Sequence, residues 1–294
     1  MNAEEICSRM ESLALDPKEY RINAGAAMVL HGLRERTHDI DIWCTPHMAD
    51  ALAAKYEVEM QTDGIRRFVP EPDIEIYENM QPGDTQFIRG LPVASLHDIL
   101  SLKKKLNREK DQRDIALLKD AIASQRAALE PISIEPIQTE DIKACTDIYN
   151  YYIENTCITL EEDLLTPEAF GARVASISQN YPYIVARSAA GKVLGYAYLD
   201  VFNARSAYRC TADLSIYVDH IHMHDGIGAR LFTEVEKLGR AQGIENIISI
   251  ITSENQNSLN FHHRSGFTDI GVMRNVAFKF GRYLDVSFMQ KSLK

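Results

Sequence analysis

The sequence is poor in the features that mark secreted, membrane-spanning and disulfide-stabilised proteins. Its 294 residues include only five cysteines, which are scattered, odd in number and free of any CxxC pair. A disulfide framework or a zinc site is therefore not expected, and a reducing cytoplasm is the expected compartment. No apolar run approaches the ~18 residues that a membrane span needs. The acidic N-terminus also lacks the apolar core of a signal peptide.

Positive charge is also in short supply. Lys and Arg number 32 against 42 Asp and Glu, which gives a formal net charge of −10. A broad nucleic-acid surface needs clustered cations, so we expect no nucleic-acid partner. The densest cationic stretch, Lys103–Lys105 with Arg108, Lys110 and Arg113 after it, is interpreted as a solvated helix face.

The length of the chain and the position of a proline predict two domains, residues 1–130 and 131–294. A size of about 150 residues per domain is a common prior, and the 45% apolar content is enough for two ordinary cores. A helical stretch ends at Pro131, because proline disfavours helix at the residue before it. The alternating run Ile132–Glu135 then reads as the first strand of the second domain.

Two predicted strands of the first domain carry alternating carboxylates. The strand at residues 37–43 places Asp39 and Asp41 on one face, and a later strand adds Asp73 or Glu75. Like charges so placed repel each other and usually need a cation. Mg²⁺ suits such oxygen ligands best.

These carboxylates follow a Gly25-Ala26 turn, and the order of the motifs resembles the minimal nucleotidyltransferase domains. The resemblance implies a mixed sheet with helices, in which Asp39, Asp41 and Glu75 hold Mg²⁺ for nucleotidyl transfer from an NTP. Ala26 stands where the family usually has Ser or Gly, so a hydroxyl near the NTP phosphates is missing. One alternative is a catalytically dead regulatory or interaction module that keeps the fold. Another is a plain surface strand with solvated aspartates.

The second domain alternates strands and helices around a glycine-rich turn. Leu214–Val218 is predicted as a strand, and Gly226–Ala229 opens a helix with apolar residues at helical spacing. The first N–H groups of a helix have no partners within it, and the helix dipole favours an anion there. The segment therefore predicts a phosphate site, with Asp213 on the strand as a nearby candidate base. The histidines between them, His220, His222 and His224, are interpreted as a solvated polar turn and not as a metal site.

Further motifs indicate which phosphate-containing ligand the second domain is expected to bind. They are the turn Gly226-Ile227-Gly228, the element Asn255-x-x-Ser258-x-x-x-His262-x-x-x-Gly266-Phe267, and the tail Lys279-Phe280-Gly281-x-x-x-Asp285-Val286. In this order they make the second domain similar to the GNAT acyltransferases, and within these to the phosphinothricin-type N-acetyltransferases. The resemblance implies a central splayed mixed sheet flanked by helices, so the whole chain is expected to be an α/β (α+β) protein. It also implies acetyl transfer from acetyl-CoA to a primary amine of a small molecule, an amino acid or analogue. Dimers are common in this family, so a homodimer is one expectation.

The resemblance assigns roles residue by residue. Asp213 falls at the family's general-base Glu; it is one methylene shorter, so proton transfer is expected to run through a water. His262 matches a histidine near the acetyl group. The acceptor is expected to meet Arg205 through its carboxylate, together with Tyr208 and Leu160. The residues expected to bind acetyl-CoA are Ser215, Ile216, Tyr217, Val218, His224, Asp225, Gly226, Ile227, Gly228, Ala229, Asn255 and Ser258.

Each of these assignments has a structural alternative. Asp213 can be a solvated strand carboxylate, and Arg205 an ordinary surface residue. Asn255 can simply cap the following helix, and His262 can be a buried structural histidine. Met223 stands where the family usually has Gln or Arg and has no donor for a phosphate, so cofactor binding is expected to rely on the backbone.

Overall fold

The computed structural model describes residues 1–80 and 85–294. Within these residues the chain divides into two units, Met1–Ala128 and Leu129–Lys294, and each unit has its own seven-stranded sheet. The division lies beside the predicted boundary at residues 130 and 131, at the end of a long helix.

The first unit combines helices with a mixed sheet. Its helices, within the described ranges, are α1 (Ala3–Leu13), α2 (Ala24–Leu30), α3 (Pro46–Ala53), α4 (Leu96–Leu106) and α5 (Gln112–Leu129). Its strands are β1 (Tyr20–Asn23), β2 (Ile40–Cys44), β3 (Glu59–Met60), β4 (Arg66–Glu71), β5 (Ile74–Tyr77), β6 (Thr85–Ile88) and β7 (Leu91–Ala94). They lie in the order β3-β4-β5-β2-β1-β7-β6, with β1 parallel to β7 and β2 parallel to β5. The predicted combination of a mixed sheet with helices is confirmed, while the nucleotidyltransferase-like assignment stays a prediction.

The two carboxylate-bearing strands start later than predicted. Ile40 is the first residue of β2 and Ile74 is the first residue of β5, so Asp39 and Asp73 each precede their strand. Both isoleucines are fully buried, whereas Asp39 is exposed. The predicted strand at residues 37–43 was therefore wrong at its start, because regular pairing begins where the first apolar side chain enters the core.

The cationic stretch at the end of α4 is not a solvated face throughout. Lys103 is only 4% exposed, and its Nζ lies 2.9 Å from Asp111 Oδ1 and 2.7 Å from Asp114 Oδ2. Arg108 Nε adds a second cation 2.6 Å from Asp111 Oδ2. A buried ammonium needs such partners, because the desolvation of an unpaired charge is costly. The interpretation as a solvated face is wrong for Lys103, although the two lysines after it are exposed.

The second unit is described in full. Its helices are α6 (Ile142–Asn155), α7 (Pro167–Ile177), α8 (Ile227–Ala241) and α9 (Gln256–Arg264). Its strands are β8 (Ser133–Pro136), β9 (Tyr183–Arg187), β10 (Val193–Val201), β11 (Thr211–Val218), β12 (Asn246–Thr252), β13 (Thr268–Lys279) and β14 (Arg282–Ser292). They lie in the order β13-β14-β12-β11-β10-β9-β8, and β11 with β12 is the parallel pair of this fully described sheet. The predicted mixed sheet is confirmed.

Local sequence signals account for the helices of the second unit. The Thr166 side chain accepts a hydrogen bond from the backbone N–H of Ala169, and Pro167 occupies the first turn of α7, as predicted. In α8, Ile227, Leu231 and Val235 recur at helical spacing, and all three are buried. These signals are local in the chain, which is why the sequence alone reveals them.

Helices cover both faces of the second sheet. On one face, Leu231 and Val235 of α8 pack in the same apolar cluster as Leu214 of β11. On the other face, Phe170 of α7 packs edge-on against Tyr196 of β10, with 5.8 Å between ring centroids. The sheet is therefore the middle layer of three, and each residue of β11 faces one helical layer or the other.

No helix in the described ranges is both long and apolar enough to span a bilayer.

Candidate active site

Strands β11 and β12 separate part-way along their length. Thr211–Asp213 pair with Asn246–Ile248, and from there to Val218 the ladder of β11 continues with β10 alone. The separation opens a wedge between two parallel strands on their carboxyl side, which is where ligands bind in open α/β sheets. Backbone groups of the end of β11 therefore face a gap in which they can meet a ligand.

Helix α8 begins beside the end of β11. A Cβ added to Gly228 would lie 3.8 Å from Val218 Cγ2 and 3.9 Å from Phe261 Cε2, so the first turn of the helix sits against both elements. Gly226 precedes the helix with φ of 83°, a left-handed conformation that glycine adopts freely, and its neighbour His224 has φ of 68°. No side chain of the described chain caps this helix. Its first N–H groups are therefore available to an anion such as a pyrophosphate.

The polar turn before α8 is held by contacts within the protein. His220 stacks on a tyrosine of α6 with 3.7 Å between ring centroids, and His222 Nδ1 lies 3.5 Å from Asp225 Oδ2. The Tyr152 hydroxyl donates to the Val218 carbonyl oxygen at 2.5 Å and also lies 3.4 Å from the Met223 sulfur. The side chains of Asp225 and Met223 thus face protein partners, and what this turn offers a ligand is mainly its backbone.

Asp213 is the carboxylate at the point where the strands separate. It is the last β11 residue paired with β12, and Asp200 lies opposite it on β10. Its Oδ1 is buried and has no hydrogen-bond partner among the described residues. Burial raises the pKa of Asp213 to about 7; the backbone N–H of Leu214 opposes this rise and the nearby Asp200 adds to it. A carboxyl group with a pKa near neutrality is suited to take up and release a proton.

A cavity of about 660 Å³ opens on the α6 and α7 side of β10 and β11. This volume lies in the usual range for small-molecule sites, ~300–1,000 Å³. Ser215 and Asp200, neighbours of Asp213 on the two strands, both line it. The residues that line the cavity are Tyr149, Glu161, Arg173, Ser176, Ile177, Asn180, Tyr181, Tyr198, Asp200, Val201, Ser215 and Tyr217.

Alternation along β11 separates two kinds of contact. Ser215 and Tyr217 line the cavity, and Tyr217 meets Tyr149 edge-on with 5.0 Å between ring centroids. Ile216 and Val218 pack with the apolar cluster under α8. None of these four side chains is therefore free to turn into the wedge between β11 and β12, so a ligand there would meet their backbone.

Helix α9 holds two of the predicted residues through its own hydrogen bonds. The Asn255 side chain accepts from the backbone N–H of Ser258 at 3.1 Å and so caps the helix. His262 is buried, and its Nδ1 lies 2.8 Å from the Ser258 carbonyl oxygen. Because a carbonyl only accepts, Nδ1 carries the proton and Nε2 of the neutral ring is an acceptor. Burial lowers the pKa of His262, which favours that neutral ring, and the bond to Ser258 opposes the effect.

The loop between α6 and α7 is tied down before it reaches the cavity. Lys279, which is 1% exposed, donates from Nζ to the Thr159 carbonyl oxygen at 2.9 Å, and the Thr159 and Tyr149 hydroxyls are hydrogen-bonded at 2.9 Å. The next residue, Leu160, is 41% exposed, and Glu161 after it lines the cavity. The loop therefore presents Glu161 from a fixed position.

The other predicted acceptor residues lie outside this cavity. Arg205 and Tyr208 are exposed on the segment between β10 and β11, where Tyr208 packs edge-on against Phe202 at 5.7 Å. Neither side chain is among those that line the cavity.

Three charged residues that the fold brings to the cavity were not predicted from the sequence: Glu161, Arg173 and Asp200. Arg173 Nη2 lies 2.8 Å from Glu161 Oε1, and the guanidinium sits 5.6 Å from the ring centre of Tyr149. These residues come from a loop, a helix and a strand, so no local motif joins them. The alternation of Tyr196, Tyr198 and Asp200 along β10 was the available hint that one face of that strand turns polar.

Among the described residues of the first unit, the carboxylates are not grouped as a metal site. Asp41 pairs in register with Glu75, and burial raises the pKa of Asp41 to about 6, with Asp39 and Glu75 contributing. Glu75, however, is bound by Arg67 Nη2 at 2.6 Å and by the Tyr77 hydroxyl. Within the described ranges no three His, Cys, Asp or Glu side chains are grouped to hold a metal ion. The assignment of Asp39, Asp41 and Glu75 as Mg²⁺ ligands stays a prediction.

The second unit also has recognisable relatives. Residues 134–288, just over half of the chain, match the acetyltransferase (GNAT) domain family. The chain belongs to the GNAT acetyltransferase family. It is an acyltransferase, and the splayed strands, the α8 N-terminus and Asp213 all lie inside the matched GNAT domain.

Similar proteins include acetyltransferases that are named for the compound they acetylate. The chain is 32% identical to a phosphinothricin N-acetyltransferase of Streptomyces viridochromogenes over 56% of its own length and 89% of that protein. It is 37% identical to an L-methionine sulfoximine/L-methionine sulfone acetyltransferase of Pseudomonas paraeruginosa, over 55% of this chain and 94% of the relative. A crystal structure of a GNAT superfamily phosphinothricin acetyltransferase from Sinorhizobium meliloti in complex with AcCoA is 34% identical. It aligns with a TM-score of 0.54 over 55% of this chain and 88% of that one.

Proposed function

We propose that the GNAT domain transfers the acetyl group of acetyl-CoA to the primary amine of a small amino acid or amino acid analogue. The observation that carries the proposal is Asp213, a half-buried carboxyl group with a pKa near 7 at the point where β11 leaves β12. The relatives that act on phosphinothricin and on methionine sulfoximine or sulfone support the class of acceptor.

The acetyl-CoA pyrophosphate is assigned to the N-terminus of α8, including Gly226–Ala229 and the backbone of His224 and Asp225. Met223 has no hydrogen-bond donor for the pyrophosphate. The first N–H groups of this helix, which have no partner within it, and the helix dipole attract the anion instead. The acetyl thioester is assigned to the wedge, where a backbone N–H from Ser215–Val218 stabilises the carbonyl oxygen as it gains charge. Asn255 and Ser258 flank the CoA arm.

Asp213 is assigned the role of general base. An ammonium has no lone pair, so the acceptor must lose a proton before its nitrogen attacks the thioester carbon. Asp213 accepts that proton through a water, because its side chain is one methylene shorter than a glutamate. The C–N bond forms, and the C–S bond breaks as the tetrahedral intermediate collapses. The attacking nitrogen, now cationic, gives up its second proton, and this proton neutralises the CoA thiolate.

His262 is assigned a place near the acetyl group. Its Nε2 is an acceptor in the neutral ring, so it can hold a water or a donor of the substrate in position. If its role were structural only, His262→Asn would change stability and leave the pH dependence of kcat unchanged. A change in that pH dependence supports the assignment.

Acceptor recognition is assigned to Arg205, Tyr208 and Leu160. Arg205 is exposed and has a planar fork of donors that matches a carboxylate. Leu160 is exposed beside the cavity and offers an apolar surface to the acceptor's side chain.

Thiol release from acetyl-CoA tests the proposed function. The acceptors are phosphinothricin, methionine sulfoximine, methionine sulfone and ordinary amino acids, and Asp213→Asn is the control for the site. Turnover with one or more acceptors that falls in the variant supports the proposal. Turnover with none of them, in protein that binds acetyl-CoA by calorimetry, contradicts the acceptor class.

We also infer that the protein forms a homodimer through β13. This twelve-residue strand is at the edge of its sheet. All residues from Thr268 to Val276 are exposed, and they include the apolar Ile270, Val272 and Met273. Natural sheets rarely leave a long apolar edge open to water. Light scattering after size exclusion tests this inference: Val272→Glu should shift a dimer to a monomer, and a monomeric wild-type protein contradicts it.

For the first unit we infer a module without nucleotidyl transfer. Glu75 is taken by Arg67, and Ala26 offers no hydroxyl to a phosphate. The competing function is Mg²⁺-dependent transfer from an NTP. Calorimetry of the full chain with Mg²⁺ and ATP, GTP, CTP or UTP separates the two: binding that disappears in Asp39→Asn/Asp41→Asn contradicts the inference.

A further inference from the structure

The cavity of the GNAT domain contains one positively charged side chain among the residues that line it. That side chain is Arg173 of α7, while Glu161 and Asp200 supply negative charge. The other polar groups are the hydroxyls of four tyrosines and two serines, and the amide of Asn180. Guanidinium, hydroxyl and amide groups all donate hydrogen bonds, so this wall suits an anionic oxygen group.

Arg173 is held in one orientation by two neighbours. Its Nη2 lies 2.8 Å from Glu161 Oε1, and its guanidinium carbon is 5.6 Å from the ring centre of Tyr149. Glu161 is itself fixed, because the loop before it is tied to Lys279 and Tyr149 through Thr159. A guanidinium has five N–H donors, and a pair through one terminal nitrogen leaves others for a ligand.

Charged groups of both signs line the cavity. Asp200 lies on the strand opposite Asp213 and lines the cavity, so its carboxylate would stabilise an ammonium there before the ammonium loses its proton. Arg173 comes from a different element, α7, where its guanidinium meets Glu161 and Tyr149. An acceptor with an amine at one end and an anionic group at the other therefore matches the cavity in charge.

We propose that Arg173, oriented by Glu161 and Tyr149, binds an anionic oxygen group of the acceptor and selects zwitterionic acceptors over simple amines. The proposal rests on the proposed function for its amine end. The anionic group is either the α-carboxylate or an acidic group of the side chain. Arg173 is thus a specificity-determining residue, in addition to the assigned Arg205.

Three acceptors separate the sources of the anionic group. Methionine sulfone carries the α-carboxylate, 3-aminopropyl(methyl)phosphinate carries only a side-chain anion, and 3-(methylsulfonyl)propylamine carries neither. Arg173→Gln should lower kcat/KM by about 10- to 100-fold for one or both anionic acceptors, since a hydrogen bond to a charged group contributes ~1.5–3 kcal/mol. The loss should appear in KM, and the neutral amine should change less than about threefold. The acceptor that is penalised identifies the group that Arg173 binds.

Matched variants separate recognition from folding. Arg173→Lys keeps the charge and should recover part of the loss, although it lacks the planar fork. Arg240→Gln removes an arginine that also pairs with a glutamate, Glu236 at 2.9 Å, but lies on α8 outside the cavity; it should leave all three acceptors unchanged. Acetyl-CoA affinity reports the folded state of each variant. Arg205→Gln, tested on the same acceptors, shows which arginine holds which group.

Equal losses on all three acceptors, or no loss on either anionic one, would overturn the proposal. Calorimetric binding of the two anionic acceptors to the acetyl-CoA-free protein is measured separately from turnover. Binding without acetylation, weakened by Arg173→Gln, would contradict the proposed function and leave the role of Arg173 standing. No binding of either acceptor to the wild-type protein would overturn that role.

Discussion

Two clusters, one in each unit, treat buried carboxylates in opposite ways. In the first unit, Asp111 and Asp114 are 2% and 1% exposed, and Lys103 Nζ lies within 2.9 Å of both. Arg34 Nε binds Asp114 at 3.0 Å as well. The Arg108 guanidinium lowers the pKa of Asp111 to about 2; burial opposes this and Lys103 adds to it. Charges matched in this way stay ionised and hold the helices in place.

In the GNAT domain the buried carboxyl oxygen of Asp213 is left without a partner. No cation of that fully described domain is paired with Asp213, and its nearest charged neighbour across the strands is another carboxylate, Asp200. Burial without a compensating cation raises the pKa of Asp213, whereas the Arg108 guanidinium lowers that of Asp111. Paired buried charge indicates a structural role, and unpaired buried charge at the edge of a wedge indicates a group that exchanges protons.

The largest expected effect is the loss of acetyl transfer when Asp213 is neutralised. Asp213→Asn should lower kcat by roughly 10²–10⁴-fold, the usual contribution of a general base. Asp213→Glu should retain more activity, because it keeps a carboxylate at the same strand position. Steady-state kinetics with acetyl-CoA measure both, and calorimetry should show acetyl-CoA affinity within about threefold of the wild-type value. An Asn variant as fast as the wild type would remove Asp213 from the mechanism.

The buried lysine of the first unit should contribute to the stability of that unit and not to acetyl transfer. Lys103→Met leaves Asp111 and Asp114 short of their shared cation and should cost about 3–5 kcal/mol in the free energy of unfolding of that unit. A denaturant titration in which hydrogen exchange of the α4 and α5 peptides is the readout measures this change in the free energy of unfolding. Lys104→Met, one residue further and exposed, is the control and should stay within about 0.5 kcal/mol. Equal effects of the two substitutions would refute the comparison.

The pH dependence of stability should differ between Asp213→Asn and the wild type. The folded-state pKa of Asp213 is raised from its ordinary 3.8 to about 7, so the native protein binds the proton more tightly than the unfolded chain does. Its stabilising contribution is full below pH 4 and is lost as pH rises to 7, a change of about 4 kcal/mol.

The variant has no such titration, so its stability relative to the wild type should rise between pH 4 and 8. Equilibrium unfolding of both proteins across that range measures the difference. A constant difference would show that Asp213 titrates alike in the folded and unfolded states.

The smallest expected effects come from two matched helix caps. Ser95 caps α4 in the first unit by accepting from Asp98 N–H at 3.1 Å, and Thr166 caps α7 in the second by accepting from Ala169 N–H at 3.2 Å. Ser95→Ala and Thr166→Ala should each cost about 1 kcal/mol. If the units unfold independently, calorimetry should show two transitions, and each variant should lower the midpoint temperature of only one of them. A shift of both transitions by either variant would show that the units unfold together.

Much of the fold could be predicted because its signals are local. The Thr166-Pro167 start of α7, the apolar spacing of α8 and the glycine turn before it each depend on a few adjacent residues. The start of β2 at Ile40 could not be predicted, because it depends on which side chain first reaches the core. The burial of Lys103 depends on two aspartates from the following turn and helix, which no periodicity in α4 reveals.

The site divides in the same way. The sequence by itself determined the glycine turn before α8, the strand that carries Asp213 and the family to which residues 134–288 belong, because these reside in contiguous motifs. Only the tertiary structure decided that Asp213 Oδ1 lacks a partner and that Arg173 meets Glu161. Whether a charge is paired, and hence how its pKa moves, depends on side chains that approach from distant parts of the chain.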